Sequence, residues 1–378
     1  MDHATALLDW LACAAGGRDE PVARAARRLG PDQSDRVAAA GTAGHVLDFD
    51  DTYLPGLAHL SAPTAPAALV LGADLGRSVG DVLAAYSAGF EAMGALADAT
   101  HPALYEGGWH PTAVCGAVGA AVTAATLLAL EPEQEQSAAA LGLLRAGGLR
   151  AAFGTDGKSL QVGMAAAAGV QGARIAAAGG RIPFERVAAG FGSAFGARQP
   201  ELHRSEPRAI TKNWIKPWPC CLQSHGAIEV AMRARSEGLA ADTPVMVVVH
   251  PVSLQAASYG DVTDGLEAKF SIPYLTAFTL LHGPPAVTDF QGVDDEARRL
   301  AAQRIEVRAD PGMLESEALL LADGREVRVE AAIGSPGRPL EPQNHRAKLA
   351  SLAGDSLDGA LDDPDRPADE LLAAAGLA

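Results

Sequence analysis

A mostly α-helical protein, with a large all-helical domain and a smaller α+β lid domain, is what this sequence predicts. Three observations lead there. Apolar positions recur at helical spacing through the first half of the chain, with no strand signal before about residue 240. A β-branched run, PVMVVVHPV from Pro244 to Val252, then brings in strand. The composition is 48% hydrophobic but only 5% aromatic and is rich in Ala and Gly, which calls for close-packed helices with small side chains between them. At 378 residues the chain is too long for one ordinary core and predicts two domains.

Taken in order, Thr5 to Ala15 and Pro21 to Leu29 read as short helices joined by Gly-Gly, and Ser34 to Gly44 as a third. Pro55, Gly56 and Pro63 interrupt helix in the stretch that follows, and helix resumes from Pro63 to Leu75. Ser78 and Asp81 have capping-box spacing, and Val82, Tyr86, Phe90, Met93 and Ala97 share one face of the next helix. His101 to His110 is a Gly- and aromatic-rich loop before a buried helix from Pro111 to Leu130. Pro132 to Gly147 is helical, GTDGK at Gly154 to Lys158 is a turn, and an Ala-rich helix runs on to Gly179. The second part offers a helix at Gly226 to Ser236, the β-branched strand, a helix at Ile272 to Leu281 and a short strand at Arg304 to Arg308. Leu319 to Leu321 and Val327 to Val329 flank Asp323-Gly324, a hairpin signature. Ser335 to Pro342 reads as a linker, His345 to Leu352 as a last helix, and the acidic Asp355 to Glu370 as a poorly packed tail.

A formal charge of −16 argues against a nucleic-acid partner, although a local field can still favour an anionic substrate. The cysteines Cys13, Cys115, Cys220 and Cys221 form no CxxC pair, so a zinc ribbon or thiolate-held cluster is not expected; they read as reduced thiols of a cytoplasmic protein. The N-terminus carries Asp2 and Asp9 without a basic region, so it reads as an amphipathic helix and not a signal peptide. Thr112 to Leu130 is uncharged but rich in Ala, Gly and Thr, which suits a helical core better than a membrane.

Four places combine polar chemistry with constrained backbone: Asp48, Asp50 and Asp51 with Thr52 and His59; His110; Lys158; and Lys216 with Cys220, Cys221 and His225. Lys158 and Lys216 can hold a carboxylate, His59 is a base of near-neutral pKa, and Asp48 can orient its imidazole. Taken singly, each also has a plainer reading, such as a solvated Lys158 in its turn or His59 as a helix cap. A P-loop fails on spacing around Lys158. A DxDD acid of the terpenoid-cyclase kind fails for want of an aromatic cavity lining.

Six ordered blocks carry a resemblance: GHVLDFDDT…AHLSAP, YEGGWHPTAVCGAVGAA, GKSLQVGMAAAAGV, KPWPCCLQSHGAIE, EAKFSIPY and GSPGRPL. Together they resemble the MmgE/PrpD family of 2-methylcitrate dehydratases, cis-aconitate decarboxylases and iminodisuccinate epimerases. The resemblance implies a helical domain of residues 1–213 completed by 339–378, a lid of residues 214–338, a cleft between them and a homodimer. It places the family's catalytic residues at Asp48, Thr52, His59, Lys158 and Lys216, and substrate contacts at His110, His225, Gln161 and Tyr274. No metal or other cofactor is implied, no ligand set is evident beyond Asp50 and Asp51, and activity is expected to survive chelation. Leu60, Leu222 and Ala95 stand where the family often has Pro, Arg and Arg, and Gln161 where it often has His, which points away from a tricarboxylate substrate. The expected function is a cofactor-independent lyase acting beside a carboxylate or carbonyl of a small carboxylate, with dehydration first and decarboxylation or epimerisation as alternatives. From another class, the alternative is an inactive binding protein that keeps the fold.

Overall fold

The computed structural model describes residues 1–196 and 208–378. They fall into two compact units, one of Met1–Ala151, Gly157–Ile215 and Glu341–Ala378, the other of Ala152–Asp156 and Lys216–Leu340.

The first unit opens with α1 (His3–Gly17), α2 (Pro21–Arg27) and α3 (Gln33–His45). Strand β1 (Thr52–Tyr53) follows, then α4 (Ser61–Asp74), α5 (Val79–Thr100), α6 (Ala103–Glu106), α7 (Pro111–Leu127) and α8 (Pro132–Leu144). After α9 (Gly157–Ala177) and α10 (Phe184–Phe195) comes β2 (Asn213–Trp214). Pro63 does not interrupt helix: it occupies the first turn of α4, where the missing N–H has no intrahelical partner to lose. The Ser78 capping box forms, and Val82, Tyr86, Phe90, Met93 and Ala97 are all buried on α5 as their spacing requires. Helix α7 is the buried axis of this unit, and small residues let its neighbours approach. A Cβ on Gly169 of α9 would lie 2.5 Å from the Ala117 carbonyl oxygen, and one on Gly163 would lie 2.2 Å from that of Ala38. A core poor in aromatics is packed in this way, backbone against backbone.

Two further features of this unit depart from the sequence reading. The short antiparallel ladder β1–β2, pairing Thr52 with Trp214 and Tyr53 with Asn213, lies well before residue 240. Two-residue strands are too short for periodicity to reveal. Helix α10 was hidden by its glycines, although Phe184, Ala188 and Phe191 form one buried face.

The second unit contains α11 (His225–Ser236), β3 (Val245–Val249), α12 (Pro251–Ala256), α13 (Gly265–Ala268), α14 (Ile272–His282), α15 (Asp295–Arg304), β4 (Ile305–Ala309), β5 (Ala318–Ala322) and β6 (Arg325–Val329). Its sheet runs β4-β3-β5-β6, with β3 parallel to β4 and the other pairs antiparallel. Val245, Val247 and Val249 face the core. Asp323 and Gly324 both take positive φ, the turn that Asp-Gly favours between β5 and β6. Residues 335–342 are not a loose linker, because Arg338 makes a two-pronged contact with the buried Glu229 at 2.7 and 3.2 Å.

The chain then returns to the first unit with α16 (Pro342–Ala353) and α17 (Ala368–Ala374). The expected loose tail is packed: Leu357, Ala360, Ala368, Leu371, Leu372 and Ala375 join the main core. The backbone of Arg366 and Ala368 bonds that of Val79 and Arg77. Acidic and proline residues dominate the composition of this segment and mask the apolar spacing beneath. Leu371→Ala should therefore lower the unfolding free energy by about 2–3 kcal/mol, read from the urea midpoint. A shift within about 0.5 kcal/mol, as at ordinary surface sites, would return the tail to the surface. No described helix is long and apolar enough to cross a membrane.

Candidate active site

The site in the first unit is built where α3 ends and the chain turns back on itself. Helix α3 closes on His45, and Asp48 bonds its N–H back to the His45 carbonyl at 3.1 Å while adopting φ 53°. Tyr53 and Ala58 exchange backbone bonds across a tight turn. Gly56 allows that turn to lie on α5, since a Cβ there would sit 2.4 Å from Ala97 Cβ. This return brings His59 beside His45, with ring centroids 4.5 Å apart, and its N–H donates to Thr112 Oγ1 on α7 at 3.1 Å.

Five side chains then close a ring. Lys158, the second residue of α9, donates to His45 Nε2 at 2.9 Å and to Asp48 Oδ1 at 3.2 Å. His45 Nδ1 lies 2.9 Å from Asp50 Oδ2, and His59 Nδ1 lies 3.1 Å from the same oxygen. His59 Nε2 faces Asp48 Oδ1 at 3.7 Å, and Thr52 Oγ1 is 3.5 Å from His59 Nδ1. All of these residues are buried. An ammonium only donates, so His45 Nε2 accepts and its proton sits on Nδ1, toward Asp50. A carboxylate only accepts, so His59 also presents Nδ1–H to Asp50, and its Nε2 is the basic site. A cation at the start of α9 opposes the helix dipole, and the Asp48 carboxylate offsets it. Burial, together with the Lys158 charge, holds the pKa of His45 below its ordinary value despite Asp50. Burial raises the Asp50 carboxyl, but the His45 and His59 imidazoles outweigh it and hold it well below the usual carboxylate range.

His110 caps the start of α7 and stacks 6.0 Å from the His45 ring. Gln161 fixes its role. The Gln161 Oε1 accepts from the Leu149 N–H at 2.9 Å, so its amide nitrogen must donate, to His110 Nδ1 at 2.7 Å and to the Leu149 carbonyl at 3.2 Å. Neutral His110 therefore carries its proton on Nε2. Burial first, and the Lys158 charge second, keep its pKa well below the ordinary value.

The structure thus brings Asp48, Thr52, His59, Lys158, His110 and Gln161 into one neighbourhood. Lys158 is buried and not solvated in a turn, because Gly157 already begins a helix. Sequence reasoning missed His45, although it stands in GHVLDFDD, and paired Asp50 with Asp51. In the fold, Asp50 sits with His45 and His59, while Asp51 turns to Asn213 at 2.6 Å. The nearer carboxylate to His59 is consequently Asp50, not Asp48.

The expectation that no ligand set exists beyond Asp50 and Asp51 also needs correcting. The donor atoms of His45, Asp50 and His59 lie within 4.8 Å of one another. They do not suit a cation well, because both Nδ1 atoms already donate to one Asp50 oxygen and an ammonium lies 2.9 Å from His45 Nε2.

Both halves of the chain match known family models. The MmgE/PrpD N-terminal domain matches residues 31–193 and the MmgE/PrpD C-terminal domain matches residues 218–372. The chain belongs to the MmgE/PrpD family. Among curated MmgE/PrpD relatives, human cis-aconitate decarboxylase is 26% identical over 306 residues, 75% of this chain and 63% of the relative. The mouse enzyme of that name is 27% identical over 66% of this chain and 55% of the relative. The Aspergillus terreus (strain NIH 2624 / FGSC A1156) protein of that name is 27% identical over 82% of this chain and 69% of the relative. The match thus spans less than two thirds of the human and mouse proteins.

The remaining MmgE/PrpD positions singled out in the sequence belong to the second unit. Lys216 is fully buried and donates to the Cys220 carbonyl at 3.1 Å; His225 Nε2 lies 3.3 Å from the same oxygen. The Tyr274 hydroxyl accepts the Asp294 N–H at 3.0 Å. All four cysteines are buried and outside any disulfide, and burial pushes the Cys115 thiol up to about 12.

Proposed function

We propose that this protein is a lyase that performs acid/base chemistry at the carbon next to a carboxylate of a small polycarboxylate, with loss of CO2 as its reaction. The observation that carries the reading is the closed ring Lys158–His45–Asp50–His59–Asp48. The His59 imidazole meets Asp50 through Nδ1, so its Nε2, 3.7 Å from Asp48 Oδ1, is the nitrogen through which a proton can pass to a substrate carbon. In the proposed step the carbon–carboxylate bond breaks, and its electron pair passes to the carbon and into a second, conjugated carboxylate. His59 Nε2–H then forms the new C–H bond as CO2 leaves. Lys158 and the Nε2–H of His110 are positioned to hold developing negative charge.

Dehydration, expected first from the blocks alone, would use the same residues with a hydroxyl as leaving group. The relatives named for cis-aconitate decarboxylation move the proposal to CO2 loss. Incubation with a panel of di- and tricarboxylic acids in deuterated water, followed by NMR, tests it. The expected result is release of CO2 with one deuteron at the carbon that lost it. Release of water to an alkene, or deuterium exchange without loss of carbon, would replace it with dehydration or epimerisation.

A further inference from the structure

We propose that Lys348 is a positioning residue for the acid/base ring, holding the Phe49–Asp50 peptide that leads into it. Lys348 lies on α16, at the far end of the sequence from that peptide, and is buried with only 6% exposure. Its Nζ donates to the Phe49 carbonyl at 2.8 Å and lies 4.1 Å over the Phe49 ring. It also contacts both oxygens of the fully buried Asp9 on α1, at 2.8 and 2.9 Å. His345, one turn earlier on α16, places Nε2 3.0 Å from Asp9 Oδ1.

A buried ion pair is not needed for packing here, since apolar residues of similar volume usually serve a core as well or better. What the charge uniquely reaches is the Phe49 carbonyl. That carbonyl belongs to the peptide whose nitrogen is Asp50's, and the preceding residue, Asp48, is held at φ 53°. Aspartate is one of the few non-glycine residues that enter this left-handed region readily, so the φ of Asp48 alone does not fix the next peptide, and the Lys348 bond to the Phe49 carbonyl does. Rotation of the Phe49–Asp50 peptide would carry Asp50 Oδ2 away from both imidazoles, which it now meets at 2.9 and 3.1 Å. The Lys348 ammonium meets Asp9 and Phe49, so it acts on the imidazoles through the backbone. Asp9 and His345 in turn hold the ammonium in place.

This inference deepens the proposed function, and only its kinetic arm rests on that reading. Lys348→Met alone leaves the buried Asp9 carboxylate with His345 but without its ammonium and risks unfolding, so the decisive variant is the double substitution Asp9→Asn/Lys348→Met, which removes both charges. The expected double variant keeps its circular dichroism and a cooperative melt. The ¹⁵N spectra of its histidine rings, assigned with His45→Gln and His59→Gln, should lose the fixed Nδ1–H form at His59. Its kcat should fall about 10-fold or more, with KM held within about 3-fold, as for misplacement of reacting groups without loss of binding. An unchanged ring spectrum with unchanged kcat in the folded double variant would overturn the proposal, and Lys348 would then merely neutralise Asp9. If the wild-type protein turns over no acid in the panel, the functional reading fails, and the ring spectra still decide the positioning role.

Discussion

His59→Gln is expected to lower turnover by about 10²–10⁴-fold while leaving the melting temperature nearly unchanged. Glutamine fills similar space and can still meet Asp50 Oδ2, which the His59 ring now approaches at 3.1 Å, so the ring of side chains stays closed. What is removed is the imidazole proposed to move the proton. His45 has both nitrogens engaged, by Lys158 and Asp50, and burial beside Lys158 keeps it neutral. His110 has Nδ1 engaged by Gln161 and is held neutral as an Nε2–H donor. His110→Gln preserves a donor, so its effect should be smaller, about 10-fold to 100-fold, the lower part of the range for a lost transition-state hydrogen bond. Near-normal turnover in His59→Gln together with abolished turnover in His110→Gln would exchange the two roles. A large drop in melting temperature for His59→Gln would assign the residue to the fold, as a cap ahead of α4, and not to the chemistry.

The helical architecture was legible in the sequence because long periodic elements announce themselves. The face of α5 and the Asp-Gly hairpin are where spacing and turn chemistry put them. Tertiary pairing was not legible. Asp50 looked like half of an acidic pair with Asp51, since adjacent residues share a motif. Yet the left-handed turn at Asp48 and the strand that follows send neighbouring carboxylates to different partners, His45 and His59 for one and Asn213 for the other. His45 went unnoticed for the same reason: its partner Lys158 is 113 residues away. The C-terminal core residues were hidden by composition, and their burial is visible only once α17 is seen against α4 and α5.

Asp51 should make stability depend on pH in a way that Asp51→Asn abolishes. Burial pushes its carboxyl up to about 7; hydrogen bonds from Ser61 and Asn213 oppose the shift, and the nearby Asp50 charge adds to it. In the unfolded chain the same group releases its proton near 3.8. Between these values the folded protein holds a proton that the unfolded chain does not. The resulting stabilisation is complete below the unfolded pKa and is lost as pH rises through about 7. At about 1.4 kcal/mol per unit of pH, the loss above that point is on the order of 4 kcal/mol. Other groups titrate with the opposite sign. His45 and His110, held neutral in the fold, contribute stability near neutral pH that declines as pH falls, and so does Asp50 at lower pH. The quantity to measure is therefore the difference in urea-unfolding free energy between Asp51→Asn and the wild type, in which these shared terms largely cancel. Asparagine can accept from Asn213 as Asp51 Oδ2 does at 2.6 Å, and it stays neutral at every pH. The variant should gain on the wild type steadily from about pH 4 to about pH 7 and hold that gain above it. A difference that stays flat from about pH 4 to about pH 8 would mean that Asp51 is ionised in the fold throughout, with its charge compensated by Asn213 and Ser61.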